Sequence, residues 1–432
     1  MRAIIRPFLR DGLKKAGLVA ATAGLAGSAG AFFLWSLDAV TRLRWGQPWL
    51  LWLLPGLGGA VALLYIKLGG RAEAGTSLLL EEIDEPGQGV PARMAPLILL
   101  GTLGTHLGGG SAGREGTALQ MGGSLGGMVA RHFAVAPEGR AGLLMAGMAA
   151  GFGAVFGTPW AGAAFALEVL RRRRGHWGEG PWCLGAALLA DWVCQAWGGR
   201  HGSWPHPSGF PEGNLQAWGK VLVAGWAFGL AARGFVAASQ GLQLALRRVV
   251  PRSPWRPVLG GLAVIGLVYL SGSRDYLGLG TWEGHPGGLH LARFFQEGDV
   301  DPWAWAWKAA FTLATVSFGF KGGEVTPLFF IGAALGHSLA GPLGLPGEWL
   351  GPMGMVAVFG AAARTPWSCA LMGLELFGPG LLAPLALACA AANSFKGRGL
   401  YAAPRSAAAK PSSEAARPRR SQRSLGRGAP GA

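Results

Sequence analysis

Phe156-Gly-Thr-Pro-Trp-Ala-Gly-Ala-Ala-Phe-Ala-Leu-Glu-Val-Leu170 recurs 207 residues later as Ala363-Arg-Thr-Pro-Trp-Ser-Cys-Ala-Leu-Met-Gly-Leu-Glu-Leu-Phe377. Thr158, Pro159, Trp160 and Glu168 meet Thr365, Pro366, Trp367 and Glu375 in this pairing. A second pair stands upstream of each copy: Gly113-Arg-Glu-Gly-Thr-Ala-Leu119 matches Gly322-Gly-Glu-Val-Thr-Pro-Leu328 at an offset of 209. One inserted residue then brings Gly122 and Leu125-Gly126 onto Gly332 and Leu335-Gly336. Two matches in one order at nearly one spacing imply a duplicated half of about 200 residues. Both copies begin with a glycine-rich, helix-breaking stretch that carries a carboxylate at its helix start. Halves of this kind are commonly inverted about an axis in the membrane plane, with ion sites near the midplane where they meet.

The composition places this duplication in a bilayer. The chain has 432 residues, of which half are hydrophobic and only 14% are charged, against about 25% charged in soluble domains. Its mean hydropathy is +0.33. Glycine supplies 75 residues without a three-residue period, which excludes collagen and suits close helix packing and broken helices. Uncharged or nearly uncharged stretches recur throughout, and several are too short or too rich in Gly and Pro for a simple span. Such interruptions are tolerated at membrane depth only where protein or a water-filled cavity covers the exposed backbone. The reading is an all-α polytopic membrane protein, with halves over about 16–215 and 216–401. Two polar loops, Gly198–Trp218 and Ser271–Pro302, are expected outside the bilayer.

The formal charge of +16 does not mark a nucleic-acid binder, because the basic residues flank apolar spans. Arg2, Arg6, Arg10, Lys14 and Lys15 precede the first span, Arg171 to Arg174 follow another, and nine Lys or Arg lie between Lys396 and Arg427. The positive-inside rule then puts both termini in the cytoplasm, with an even number of crossings. Residues 1–15 read as an amphipathic interfacial helix, 16–401 as the transmembrane domain, and 402–432 as a basic, disordered, lipid-facing cytoplasmic tail. Cys183, Cys194, Cys369 and Cys389 are scattered through apolar sequence without Cys-x-x-Cys or a His cluster, so neither metal nor cofactor is called for.

Glu115 and Glu324 carry the chemistry. Each follows a glycine-rich approach and opens an apolar helix, where unpaired backbone N–H groups and the positive end of the dipole form an anion site. A carboxylate tethered there occupies the site when ionised and leaves it when protonated, so it competes with the anion and carries a proton. Carboxylates at membrane depth are costly, and their default reading is functional. The structural alternative is a capping carboxylate neutralised by Arg114 or Lys321. Glu168 and Glu375, which close the repeated Thr-Pro-Trp helix, read instead as interfacial salt-bridged ends. His106 and His337 sit singly in apolar sequence and read as packing residues.

With Gly113-Arg114-Glu115-Gly116 the chain resembles the CLC anion channels and transporters over about residues 70–401. Ala149 to Glu168 and Gly354 to Glu375 resemble the segments that follow the family's signatures in each half. Chloride-handling members carry Pro after Gly-Arg-Glu-Gly, a Gly-x-Phe-x-Pro in the second half and an early Gly-Ser-Gly-Ile-Pro. Here these are Thr117, Gly322-Gly-Glu-Val-Thr-Pro327 and Ala74-Gly-Thr-Ser-Leu-Leu-Leu80, a set similar to the fluoride/proton antiporter branch. The resemblance implies a CLC-like inverted repeat with broken and re-entrant helices, and a homodimer in the inner membrane with one pathway per subunit. Glu115 and Glu324 would serve in gating and proton transfer. The anion would be bound by Thr76 or Ser77, by Gly113, Arg114, Gly116 and Thr117, by Gly323, Val325 and Thr326, and by the hydroxyl of Tyr401.

The function expected is export of fluoride against inward protons; a chloride-selective exchanger or a passive anion channel is the alternative. An intramembrane enzyme would need a Ser/His pair or metal ligands in one cavity. The sequence has no His-Glu-x-x-His and no Asp pair in a span. Its Gly-x-Ser-x-Gly matches at Ser111 and Ser124 follow no strand, as a nucleophile elbow must.

Overall fold

The computed structural model describes residues 2–401 apart from 171–175, 203, 208, 212, 252 and 253. The arginine block after Leu170 and the basic tail from Ala402 lie outside the described residues. The described chain is helical: α1 (Arg2–Gly46), α2 (Leu54–Leu68), α3 (Thr76–Asp84), α4 (Met94–Leu107), α5 (Glu115–His132), α6 (Pro137–Phe156), α7 (Pro159–Glu168), α8 (Gly180–Ala196), α9 (Leu215–Val249), α10 (Trp255–Ser271), α11 (Ala304–Val316), α12 (Val325–Leu343), α13 (Gly347–Ala363), α14 (Pro366–Phe377) and α15 (Leu382–Ala392). Its one β-type contact among the described residues is an isolated antiparallel bridge between Gly113 and Gly323.

The duplication is visible as a repeated packing scheme. In the first half α6 packs on α5, α7, α8 and α1; in the second, α13 packs on α12, α14, α15 and α9. The repeat glycines explain why these helices approach so closely. A Cβ on Gly122 would run into the Gly147 carbonyl, and one on Gly147 into the Gly122 carbonyl. Gly332 and Gly354 exclude a side chain in the same reciprocal way between α12 and α13, and Gly126 and Gly336 each face a carbonyl one turn further on. This is the small-residue helix contact of membrane proteins, in which backbone packing replaces a hydrophobic driving force that lipid does not supply.

Proline and glycine set the breaks. Pro159 and Pro366 occupy the first turn of α7 and α14, where a missing N–H costs nothing. Gly157 ends α6 in the left-handed region at φ 75°. Its repeat counterpart Arg364 ends α13 at φ 65°, an unfavourable conformation for a residue with a Cβ. Arg364 is held there by its guanidinium, which donates to Asn393 O at 3.1 Å and Gly397 O at 2.8 Å.

Among the described residues, five helical segments are long and apolar enough to cross a membrane: Gly12–Gly46, Pro48–Leu68, Gly139–Phe156, Leu215–Val249 and Val325–Leu343. Broken elements such as α7 and α14, at 10 and 12 residues, are short of the ~20 a simple span needs and end inside the protein. The helix α1 is continuous over 45 residues and passes Lys15 without interruption, where the sequence suggested a division. Lysine is a good helix former, and Lys15 pairs with Glu179 at 2.8 Å while lying over the Trp182 ring. The polar loop after Ser271 is not held away from the domain: Tyr276, Leu277, Leu291, Phe294 and Phe295 are buried in it.

Gly332→Ala would force α12 from α13 and is expected to cost about 1–3 kcal/mol, the usual range for overpacking. Gly24→Ala, with nothing within 4 Å of the added methyl, should be silent. Thermal melting of the purified protein in detergent checks both.

Candidate functional site

The two glycine-rich segments meet at a self-complementary contact. Gly113 N donates to Gly323 O at 2.5 Å, and Gly323 N returns a bond to Gly113 O at 2.9 Å. Gly323 stands one residue beyond Gly322, the repeat counterpart of Gly113, so the two repeat-related segments pair reciprocally with a one-residue offset. A Cβ on Gly323 would stand 2.9 Å from Gly116 N, so the backbones touch where side chains would separate them. From this bridge α5 starts at Glu115 behind Arg114, and α12 starts at Val325 behind Glu324.

Glu115 is fully buried and reaches across the axis. Its Oε2 accepts from Thr326 Oγ1 at 2.5 Å, from Thr326 N at 3.2 Å and from Arg114 N at 3.2 Å. Its Oε1 has no hydrogen bond, the nearest cation being Arg114 Nε at 3.6 Å. The carboxylate of one half thus lies on the amino terminus of a helix from the other. That helix has few amides to offer: Pro327 has none, and Leu328 N is satisfied by Glu324 O at 3.0 Å. Val325 N and Thr326 N remain, and Glu115 takes the second.

The symmetry stops at this pair. Glu324, half-buried, turns its carboxyl to its own backbone amide, while Thr117, the counterpart of Thr326, shares its hydroxyl with Thr102 on α4 at 2.7 Å. Thr117 therefore faces α4 with its side chain. Lys321 lies over the Tyr65 ring, 4.0 Å from its centroid.

Tyr401 is half-buried beyond the last helix. Leu400 N donates to Ala362 O at 2.8 Å, which fastens this segment to the end of α13, where Arg364 holds Asn393 and Gly397. The Tyr401 ring meets Phe165 edge-on at 6.0 Å, and its hydroxyl lies within electrostatic reach of both Glu324 and Glu115. Phe165–Phe359 and Phe156–Phe329 continue the aromatic packing between the halves at 5.9 and 5.2 Å, and Phe329–Phe359 joins them within the second half at 5.4 Å.

Thr76 is the first residue of α3 and is half-buried; Ser77 beside it is exposed. Gln120 Nε2, on α5 five residues past Glu115, donates to Thr76 Oγ1 at 3.3 Å. Sequence reasoning missed Gln120, though it is a polar side chain on a largely buried, glycine-rich helix. It also missed Arg364, which shows as the repeat's departure from Gly157. Ser111 is no nucleophile: its Oγ meets Thr312 Oγ1 at 3.0 Å and its N–H meets Thr315 Oγ1 at 2.9 Å, which pins the glycine-rich approach to α11. His337 fits the packing reading, its ring nitrogens meeting Phe294 O and Gly298 O at 3.3 and 3.1 Å.

The family model described as voltage gated chloride channel matches residues 57–397. The chain belongs to the CLC family. It is 44% identical over 402 residues to the chloride/fluoride channel protein of Pseudomonas syringae pv. tomato, covering 92% of this chain and 87% of the relative. A crystal structure of a CLC-type fluoride/proton antiporter matches with a TM-score of 0.83 at 32% identity, covering 90% of this chain and 97% of that one. A slow cyanobacterial Cl−/H+ antiporter shares the fold at a TM-score of 0.74 and 22% identity, over 88% and 93% of the two chains.

A second crossing frames the site of this CLC chain. Glu168 accepts from Trp367 N at 3.3 Å and Ser368 N at 2.8 Å at the start of α14, while Glu375 accepts from Trp160 N at 2.9 Å and Ala161 N at 2.8 Å at the start of α7. Each half caps a helix of the other. To the salt-bridged ends expected from the sequence this adds a cap for each carboxylate, since two free amides at a helix start hold a carboxylate without a cation; the arginines 171–174 after Glu168 lie outside the described residues. Glu168→Ala and Glu375→Ala should each lower stability by about 0.5–2 kcal/mol, with Gln milder at both positions, as read from melting of the purified protein.

Proposed function

We propose that the chain is a proton-coupled fluoride exporter, a fluoride/proton antiporter of the cytoplasmic membrane. In this reading it works as a homodimer with one pathway per chain, both termini cytoplasmic and the basic tail against lipid. The observation that supports it best is the Glu115 carboxylate seated on Thr326 N and Thr326 Oγ1. An anion entering the pathway needs the same two donors, so carboxylate and anion exclude one another. When fluoride takes the Thr326 donors, Glu115 must leave them, and in this reading it leaves carrying a proton. When the proton is lost, the carboxylate returns and expels the anion. One proton is thereby exchanged against one departure of the anion.

Fluoride suits these groups. It is small and strongly hydrated, so a site must replace its water with several short donors, and Thr326, the Val325 amide and the Tyr401 hydroxyl provide them. It is also the halide that takes up a proton most readily, which makes coupling through Glu115 and Glu324 chemically natural. The solved fluoride/proton antiporter and the Pseudomonas chloride/fluoride channel protein add to this reading, as does Glu324-Val325-Thr326, in which Val325 stands at the position of the aromatic residue that chloride-handling members carry.

The test is efflux from liposomes with fluoride and pH electrodes recording together. Wild-type protein should move fluoride with protons in the opposite direction and move chloride far more slowly. Glu115→Gln should abolish proton movement. Thr326→Val, deleting a hydrogen bond of a kind worth about 1.5–3 kcal/mol with a charged partner, should weaken fluoride by about tenfold or more. Chloride flux equal to that of fluoride would overturn the fluoride assignment, faster proton-coupled chloride flux would assign a chloride-selective exchanger, and flux indifferent to the proton gradient a passive anion channel.

A further inference from the structure

The hydroxyls buried in these helices spend their one proton close to home. Thr22, Thr105, Thr312 and Thr315 each donate to the carbonyl four residues back, at Leu18, Gly101, Lys308 and Phe311. A hydroxyl in the first turn of a helix has no such carbonyl within its own helix, so its proton turns outward. Thr326 is one of these, and its proton goes to a carboxylate, Glu115 Oε2. Thr76, the first residue of α3, is another. Among the described residues, the one hydrogen bond of Thr76 Oγ1 is a bond it accepts, from Gln120 Nε2 at 3.3 Å.

Both helices are shaped for this contact. Gln120 lies on α5, about 7.5 Å along the axis from Glu115 at 1.5 Å per residue, so the amide and the gating carboxylate ride on one rigid element. On the α3 side the approach depends on Gly75, at φ 59° and ψ −132°, a conformation that glycine alone adopts readily. A Cβ there would stand 3.2 Å from Gln120 Oε1 and 3.3 Å from Nε2, so the amide lies against the bare glycine. The far end of α3 is fixed separately, where Glu82 accepts from Arg71 Nη2 at 2.5 Å, Gly87 N at 2.9 Å and Gly89 N at 3.0 Å. At the start of α3, among the described residues, Gln120 is the one side chain of another helix that forms a hydrogen bond.

We infer that Gln120 is a positioning residue for the anion: by filling an acceptor lone pair of Thr76 Oγ1, it leaves that hydroxyl with its single proton to donate into the pathway. A hydroxyl has one proton and two lone pairs, and it rotates to suit its neighbours. Without Gln120, the proton of Thr76 would turn to the nearest carbonyl or water, and an arriving anion would first have to turn it back. With the amide in place that reorganisation is already done, which is how a preorganised site gains affinity. The gain is largest for the anion that accepts hydrogen bonds most strongly. Among halides that is fluoride, so the contact weights selectivity as well as affinity. The inference rests on the reading of the chain as a fluoride carrier with Thr76 on the route of the anion.

The test is a double-mutant cycle on the full-length protein in liposomes, with fluoride and pH electrodes recording together and the melting of each purified variant checking its fold. Gln120→Met, of similar length but without the amide, should raise the half-saturating fluoride concentration about three- to tenfold, the size of one neutral hydrogen bond. The effect should fall on that concentration more than on the maximal rate, and chloride flux, through the weaker acceptor, should lose less. Thr76→Val should do as much or more, and Gln120→Met added to Thr76→Val should change nothing further. Gln120→His, which carries an N–H donor on a side chain of similar reach, should recover most of the loss. Where Gln120→Met does not fold, Gln120→Asn, whose amide stops one methylene short, takes its place in the cycle. Wild-type fluoride affinity in that variant, or losses that simply add in the double variant, overturns the assignment. Fluoride flux without proton movement in the wild type sinks the antiporter reading instead, while the cycle still decides the role of Gln120.

Discussion

The structure depends on a carboxylate that leaves its own half of the molecule to find its partners in the other. Glu115 opens α5 but bonds to Thr326 at the start of α12. Burying that carboxylate is tolerable because a helix start offers an amide, a hydroxyl and a dipole together. The contact needs the glycine bridge beneath it, since any side chain at Gly113 or Gly323 would wedge the two helix starts apart. The bridge in turn needs the glycine-faced helix pairs that let each half pack tightly enough to bring its glycine-rich segment to the axis.

The scaffold keeps two-fold symmetry and the site gives it up. Gly113 meets Gly323 in both directions, and Glu168 and Glu375 exchange helix caps reciprocally. Glu115 crosses to Thr326, yet Glu324 does not cross to Thr117, whose hydroxyl belongs to Thr102. Two equivalent crossings would put two carboxylates on two equivalent sites with no order between them. A single crossing leaves Glu115 bound at the start of α12 and Glu324 without the equivalent contact, which distinguishes the two groups despite their common origin.

Much of this was legible in the sequence because duplication, glycine spacing and Pro at helix starts are local signals. Gly122, Gly126, Gly332 and Gly336 stood in register before any helix was known, and they proved to be the contact points. Glu115 and Glu324 were marked by their glycine-rich approaches. What the sequence could not convey was direction: whether a carboxylate caps its own helix or a distant one is decided by tertiary packing. The caps that Glu168 and Glu375 supply to the other half were missed for that reason, and Gln120, Ser77 and Thr117 show the same limit, since a hydroxyl or amide in a motif says nothing about which neighbour it turns to. Arg364 was legible only as an oddity, an arginine where its counterpart is glycine, until its guanidinium was seen holding the segment that carries Tyr401.

The exchanged caps at Glu168 and Glu375 bear on how such a chain comes to exist at all. A ribosome delivers the first half with the amide groups of α7 facing no acceptor and Glu168 facing no donor, and both wait for sequence some two hundred codons away. Neither half can therefore finish its own helix ends, and the completed chain is the smallest unit in which every one of these carboxylates has its partner.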